Sequence, residues 1–225
     1  MSTTREQAYG LQVCVQVCVQ VYYNHSMISV AIQAGGQSRR MGQDKGLLLL
    51  QGKPLITRVL ARVAFLADEI LVTTNQLSDY QFLSLPLYPD LFPGTGALGG
   101  LYTALHAAQE PLVAVVACDM PFVNPAILEL ARDRLLETGV DVAIPRTDEG
   151  YEPFHAVYRK EACLPAVEKA LQAGERRLIS WFADVQVLTL EEALFGPLDP
   201  QGLAFWNLNT PEEFQHAELL IASGG

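Results

Sequence analysis

Short apolar runs alternate with segments of helical spacing from Met27 onward, and this alternation predicts the architecture. Ile28-Ser29-Val30-Ala31-Ile32 reads as a buried strand. Pro54 opens a helix in which Leu55, Ile56, Val59, Leu60 and Val63 form one apolar stripe. Glu69 to Thr74 is a second strand, with Asn75 at its carboxyl end. A loop holding Pro86, Pro89, Pro93 and four glycines leads to a helix expected from about Leu101 to Ala108. Leu112 to Cys118 is continuously apolar, as a central strand buried on both faces should be. Asn124-Pro125 caps a helix running to Gly139. Segments 141–145 and 154–158 read as strands and 162–173 as a helix. Asn207-Leu208-Asn209 reads as a short strand with both amides on one face, and Thr210-Pro211-Glu212-Glu213 has capping-box spacing for a last helix. Strands alternating with helices imply a three-layer α/β fold with a mostly parallel central sheet. No linker divides it, so residues 27–225 are expected to be a single domain.

Residues 1–26 stand outside this pattern. Val13-Cys14-Val15-Gln16-Val17-Cys18-Val19-Gln20-Val21 is a tandem repeat with strand-like alternation, suited to an edge strand or to a dispensable, aggregation-prone extension. Half of the 225 residues are hydrophobic, enough for a large core. The net charge of −10 argues against nucleic acid as the main partner. No apolar run is long enough to span a bilayer, so no membrane partner is expected. Cys14, Cys18, Cys118 and Cys163 lack zinc-site spacing. No secretory signal is present, and the cytoplasm is the expected location.

Charge is nevertheless distributed unevenly. Between Gln37 and Arg62 six Lys/Arg face one acid, Asp44. Arg58 and Arg62 fall on a helix face and are read as solvated. Arg39, Arg40 and Lys45 directly follow the turn Ala34-Gly35-Gly36 at the end of the first strand. Backbone N–H groups of such a turn converge on one concavity and favour anions, so turn and cations together read as a triphosphate cradle. Ligands on these sheets bind beyond the carboxyl ends of strands, where Gly35, Asn75, Asp90 and Asp119 all fall. Asp119 is a lone carboxylate at the mouth of the apolar strand. Magnesium takes few protein carboxylates and completes its shell with water and phosphate oxygens, so Asp119 is the candidate Mg²⁺ ligand.

Other motifs carry less. Gly94-Thr95-Gly96-Ala97-Leu98-Gly99 matches a dinucleotide fingerprint, but Pro89 and Pro93 interrupt the strand that should run into it. No Walker lysine follows either glycine turn. His155 is expected to be a satisfied strand histidine in preference to a base. Arg176, after the helix-ending Gly174, and the amides Asn207 and Asn209 suit either a polar second substrate or a surface pair and a cap.

At this point the residues resemble a known family. Ala34-Gly35-Gly36-x-Ser38-x-Arg40-Met41-Gly42-x-Asp44-Lys45, then Gly52-Lys53-Pro54-Leu55, is similar to the signature of the molybdenum cofactor guanylyltransferases. Cys118-Asp119-Met120-Pro121, Pro153 to Tyr158, Ala173 to Arg177 and Asn207-x-Asn209-Thr210-Pro211-Glu212-Glu213 recur in that family's order. The resemblance covers roughly 28–220 and implies a Rossmann-like nucleotidyltransferase fold. It also implies transfer of GMP from Mg·GTP to the terminal phosphate of molybdopterin, with loss of pyrophosphate. By that likeness Gln33, Ala34, Gly35, Gly36, Lys45, Asn75, Asp90 and Asp119 bind GTP. Arg40, Lys45 and Asp119 serve catalysis, and Asp119 holds Mg²⁺. Arg176, Asn207 and Asn209 line the pterin side, and molybdoenzymes or other cofactor-biosynthesis proteins become possible partners. Two positions depart from the pattern: Gln33 stands where leucine is common, and Thr73 where asparagine is often found. The alternatives are a sister cytidylyltransferase using CTP and a non-catalytic protein that delivers nucleotide or cofactor.

Because Met27 immediately precedes the first core strand, a chain starting there is expected to fold and to keep full activity. Loss of either on truncation, read by circular dichroism and turnover, would assign residues 1–26 an essential role.

Overall fold

The computed structural model describes residues 28–35 and 44–223. The valine repeat with Cys14 and Cys18, and Gly36 and Arg40 of the glycine turn, lie outside the described residues. Ten strands are described: β1 (Ile28–Gln33), β2 (Leu49–Leu50), β3 (Lys53–Pro54), β4 (Glu69–Thr73), β5 (Leu87–Tyr88), β6 (Leu112–Ala117), β7 (Val142–Thr147), β8 (Gly150–Tyr151), β9 (His155–Arg159) and β10 (Val187–Glu191). The α-helices are α1 (Leu55–Val63), α2 (Leu77–Tyr80), α3 (Ala97–Ala107), α4 (Pro125–Thr138), α5 (Lys160–Gln172), α6 (Glu192–Phe195) and α7 (Pro211–Ala222). The main sheet has the order β10-β7-β9-β6-β1-β4-β5, with β8 beside β7, while β2 and β3 form a separate ribbon.

Direction follows connection length. β1 pairs in parallel with both β4 and β6, and β4 with β5 and β7 with β10 likewise. Helical crossovers make these parallel neighbours possible. β9 is antiparallel to β6 and to β7, because the short run from β7 through β8 has no room for the dozen residues a parallel return requires. The mostly parallel sheet is therefore split by one reversed strand, a detail that the alternation of elements does not contain.

Alternate side chains of each strand enter opposite cores. Val30, Ile32, Val72 and Val116 pack on the face covered by α1 and α4, joined by Ile56, Val59, Ile127 and Leu128. Ala31, Leu71, Val113 and Val115 pack on the other, with Leu101 and Leu105 of α3 and Val167 of α5. Burying an aliphatic side chain of this size contributes about 1.5–3 kcal/mol, so the apolar stripe of α1 suffices to dock it. Among the described residues, no helix is long and apolar enough to cross a membrane.

Two expectations are corrected. Helix α3 starts at Ala97, not Leu101, so Gly99 and Gly100 lie inside it. A Cβ on Gly99 would stand 2.9 Å from the Phe92 carbonyl, and one on Gly100 would stand 2.9 Å from the Gln33 side chain. These glycines permit close approach within a helix and do not mark a loop. The segment Asn207-Leu208-Asn209 is extended without pairing into a strand. The capping box at Thr210 and Glu213 is complete, as its spacing implies.

His155 is fully buried on β9, so it is a core residue. Its Nε2 lies 3.0 Å from the Asn124 carbonyl, which only accepts, so Nε2 carries the proton of the neutral ring. Phe205 packs edge-on against it at 4.9 Å. Burial pulls its pKa down to about 4. The unfolded chain, with histidine near 6.5, binds the proton first as pH falls, so stability is present above about pH 6.5 and is lost between there and about pH 4. The loss should approach about 3 kcal/mol. Urea unfolding at pH 7 and pH 4.5 should show it, and His155→Leu should flatten that component; an unchanged slope in the variant would remove His155 as its source.

Candidate active site

The carboxyl ends of β1, β4 and β6 open onto one rim. The ladder extends past the strands there: Ala34 N–H donates to the Thr73 carbonyl at 2.8 Å, and Cys118 N–H to the Gln33 carbonyl at 3.0 Å. A cleft of about 520 Å³ lies above, lined by Gln33, Ala34, Gly35, Asn75, Asp90 and Gly96 among others. Its far wall is fixed by a reciprocal pair. Asn75 Nδ2 donates to Asp90 Oδ2 at 2.7 Å, and Asp90 N–H donates to Asn75 Oδ1 at 2.9 Å. Five sequence-derived candidates thus share one cleft.

Lys45 and Asp119 stand beside it. Lys45 Nζ donates to Asp119 Oδ2 at 3.0 Å and also to Asn209 Oδ1. Both charged side chains are mostly buried, 21 % and 14 % exposed, which places the pair at a surface and in reach of a ligand. The one-turn 3-10 helix Lys45–Leu47 aims the lysine. Asp44 caps it by accepting from Gly46 N–H at 3.0 Å, and Tyr80 donates to Asp44 Oδ1 at 2.6 Å. Tyr80 is fully buried, and burial together with neighbouring Cys118 and Asp44 drives its phenol pKa far up, so it remains a donor. A Cβ on Gly46 would lie 2.5 Å from the Tyr80 hydroxyl and 3.1 Å from Cys118 Sγ. Only glycine lets this turn approach so closely.

Asn209 is held from the other side. Its backbone N–H and that of Thr210 both donate to Glu213 of the capping box, the second at 2.8 Å. Leu208 N–H donates to the Asp119 carbonyl at 3.0 Å. Asn207 and Asn209 line a second cleft, of about 720 Å³, with Phe205, Trp206, Thr147 and Glu152. Asp148, Glu149, Glu192, Asp199 and Glu213 make this cleft acidic. Glu152 accepts from Thr147 Oγ1 at 3.1 Å, and burial raises its carboxyl pKa. Asp44 belongs to the first cleft and Asn209 to the second, so the Lys45–Asp119–Asn209 group stands between them.

Arg176 is placed apart from the two asparagines. Its Nη1 donates to the Gly94 carbonyl, on the loop lining the first cleft. Gly46, Tyr80 and Glu152 are not marked by the sequence, and Asp44 stands out there only as the lone acid of the cation-rich stretch and as part of the family motif. Asp44 carried a capping signal, directly ahead of a lysine and a glycine. Tyr80 reaches it from 36 positions away and had no local signal.

The family model for the MobA-like NTP transferase domain matches residues 30–187. A molybdenum cofactor guanylyltransferase of Desulfosudis oleivorans is 34% identical over 194 residues, which cover 86% of this chain and 95% of that one. A probable molybdenum cofactor guanylyltransferase of Pelotomaculum thermopropionicum is 37% identical, over 84% of this chain and 91% of its own. Among solved structures, the molybdopterin-guanine dinucleotide biosynthesis protein A of Archaeoglobus fulgidus superposes with a TM-score of 0.76 at 29% identity. That match covers 87% of this chain and 99% of the other.

Proposed function

Given that this chain belongs to the family of MobA-like NTP transferases, we propose that it transfers GMP from Mg·GTP to the terminal phosphate of molybdopterin, releasing pyrophosphate. The observation that carries this reading is the Lys45–Asp119 pair, 3.0 Å apart, between a cleft at the ends of β1 and β4 and a second, acidic cleft. Relatives matched over most of their own length are named molybdenum cofactor guanylyltransferase, which agrees with this reading.

In this reading the first cleft holds the nucleoside between Asn75, Asp90 and the backbone of Ala34 and Gly35. The outside-lying Gly36 and Arg40 would complete the phosphate cradle. The second cleft takes the acceptor. Its carboxylates repel a phosphate, so the anionic end of molybdopterin would lie at the Lys45, Asn207 and Asn209 corner, with the pterin toward Phe205 and Trp206. Arg176 serves by bracing the Gly94 loop over the nucleotide.

The acceptor phosphate oxygen bonds to the α-phosphorus while the bond to pyrophosphate breaks. That oxygen is already ionised, so no general base is required, and charge neutralisation and positioning supply the catalysis. Lys45 exchanges its carboxylate for phosphate oxygens and offsets the charge gathering there. Asp119 fits a magnesium site: it is a partly exposed carboxylate just beyond the end of β6, and Mg²⁺ bound with a nucleotide needs only one or two carboxylates. When bound, Mg²⁺ would neutralise the triphosphate. A cytoplasmic location and hand-over of the product to molybdoenzymes belong to the same proposal.

Pyrophosphate release from Mg·GTP with molybdopterin tests it. Asp119→Ala should abolish turnover, and Lys45→Ala should lower the rate by about a hundredfold or more, as loss of one electrostatic stabiliser does. Near-normal rates in either variant would remove that residue from the mechanism. Preference for CTP would favour cytidylyl transfer, and Mg·GTP binding without pyrophosphate release would favour a delivery protein.

A further inference from the structure

Gln33 is the last residue of β1 and is 5 % exposed, yet its Nε2 is buried with no hydrogen-bond partner among the described residues. A buried amide donor left unpaired destabilises the free protein, so its retention asks for an explanation. The side chain lines the first cleft. It lies against Gly100 inside α3, where a Cβ would come within 2.9–3.0 Å of its Oε1, Cδ and Nε2. Gly100 therefore leaves room for an amide whose Nε2 no described residue satisfies.

The described lining of the cleft carries no cation, and its charged members are Asp44, which precedes Lys45, and Asp90. Asp44, and through it Lys45, marks the end suited to phosphates. Gln33, Asn75, Asp90 and Gly100 line the same cleft, with Asn75 and Asp90 paired to each other. A buried N–H there needs an acceptor on the ligand. Guanine presents a carbonyl at C6, whereas adenine at C6 and cytosine at C4 carry amines, which are donors. We propose that the Gln33 side chain is a base-reading group, donating from Nε2 to the C6 carbonyl of guanine and so selecting GTP against CTP and ATP. This rests on the guanylyl-transfer reading and deepens it.

The test measures Kd values of the full chain for the magnesium complexes of GTP, CTP, ITP and 2-aminopurine riboside triphosphate, the last lacking the C6 carbonyl. The unsubstituted chain should bind the 2-aminopurine nucleotide roughly tenfold to a hundredfold more weakly than GTP, the range expected when a buried donor loses its acceptor. In Gln33→Leu that ratio should shrink toward one, the GTP-to-ITP ratio should stay unchanged, and the free variant should melt no lower than the parent. Gln33→Met serves as a second variant of similar volume. A parent chain indifferent to the C6 carbonyl overturns the proposal. So does a substitution that preserves the 2-aminopurine ratio, or one that alters the inosine ratio in its place. CTP bound more tightly than GTP overturns the guanylyl reading and this assignment together. GTP preferred over CTP with an undiminished ratio in both variants overturns the Gln33 assignment alone.

Discussion

Three segments far apart in sequence meet at one charged contact, and the two clefts take their relation to each other from it. Lys45 reaches Asp119 across 74 positions and Asn209 across 164. The lysine follows the first strand, the carboxylate ends the apolar β6, and the amide precedes the last helix. Each is fixed by neighbours that do no chemistry: Tyr80 and Gly46 set the lysine turn, and Leu208 ties its segment to the Asp119 carbonyl. The pair itself contributes little net stability, because desolvation offsets much of its Coulomb attraction. A pair of small net worth, held in a scaffold that costs much to distort, suits two groups that in the proposed reaction would exchange each other for a nucleotide and its metal.

Charge is partitioned on the same logic. The chain is acidic, at −10, and its two proposed ligands are anions. Cations are gathered at the glycine turn, while the second cleft carries a wall of carboxylates with aromatic rings at Phe205 and Trp206. Stacked Phe122 and Trp206, with centroids 5.7 Å apart and planes nearly parallel, extend that surface. A cleft so lined has one corner where an anion is welcome, beside Lys45. Repulsion elsewhere would thereby orient an acceptor that has a phosphate at one end and a polar ring at the other.

Much of the fold was legible because strands and helices were marked by burial pattern and caps, both local signals. Asn124-Pro125 with Gly139 bounded α4, and the spacing from Thr210 to Glu213 located the last helix. The start of α3 was misread because Gly99 and Gly100 look like loop residues, while their role is to admit Thr95, Phe92 and Gln33 at close range. The reversal of β9 depends on the brevity of the β7–β9 connection, which becomes visible only once strand ends are known. At the site, Gly35, Asn75, Asp90 and Asp119 could be gathered by the rule that ligands sit beyond strand ends. Tyr80, Glu152 and the seat of Arg176 on the Gly94 carbonyl could not, since each arises from contacts between segments that no spacing connects.

The last helix shows how stability and function share one device. Glu213 completes an N-terminal capping box with Thr210, a contribution of about 1 kcal/mol in ordinary helices. The same carboxylate also accepts from the backbone of Asn209, whose side chain meets Lys45. Buried Leu208 and Ala217 anchor this helix to Leu50 and Leu55, next to the lysine turn. The helix therefore packs against the β2–β3 ribbon and sets one wall of the second cleft at once. Loosening its cap would be felt at the reacting charges before it was felt in the core, because Asn209 is the first residue the cap restrains and the core cluster behind it has other contacts to hold it.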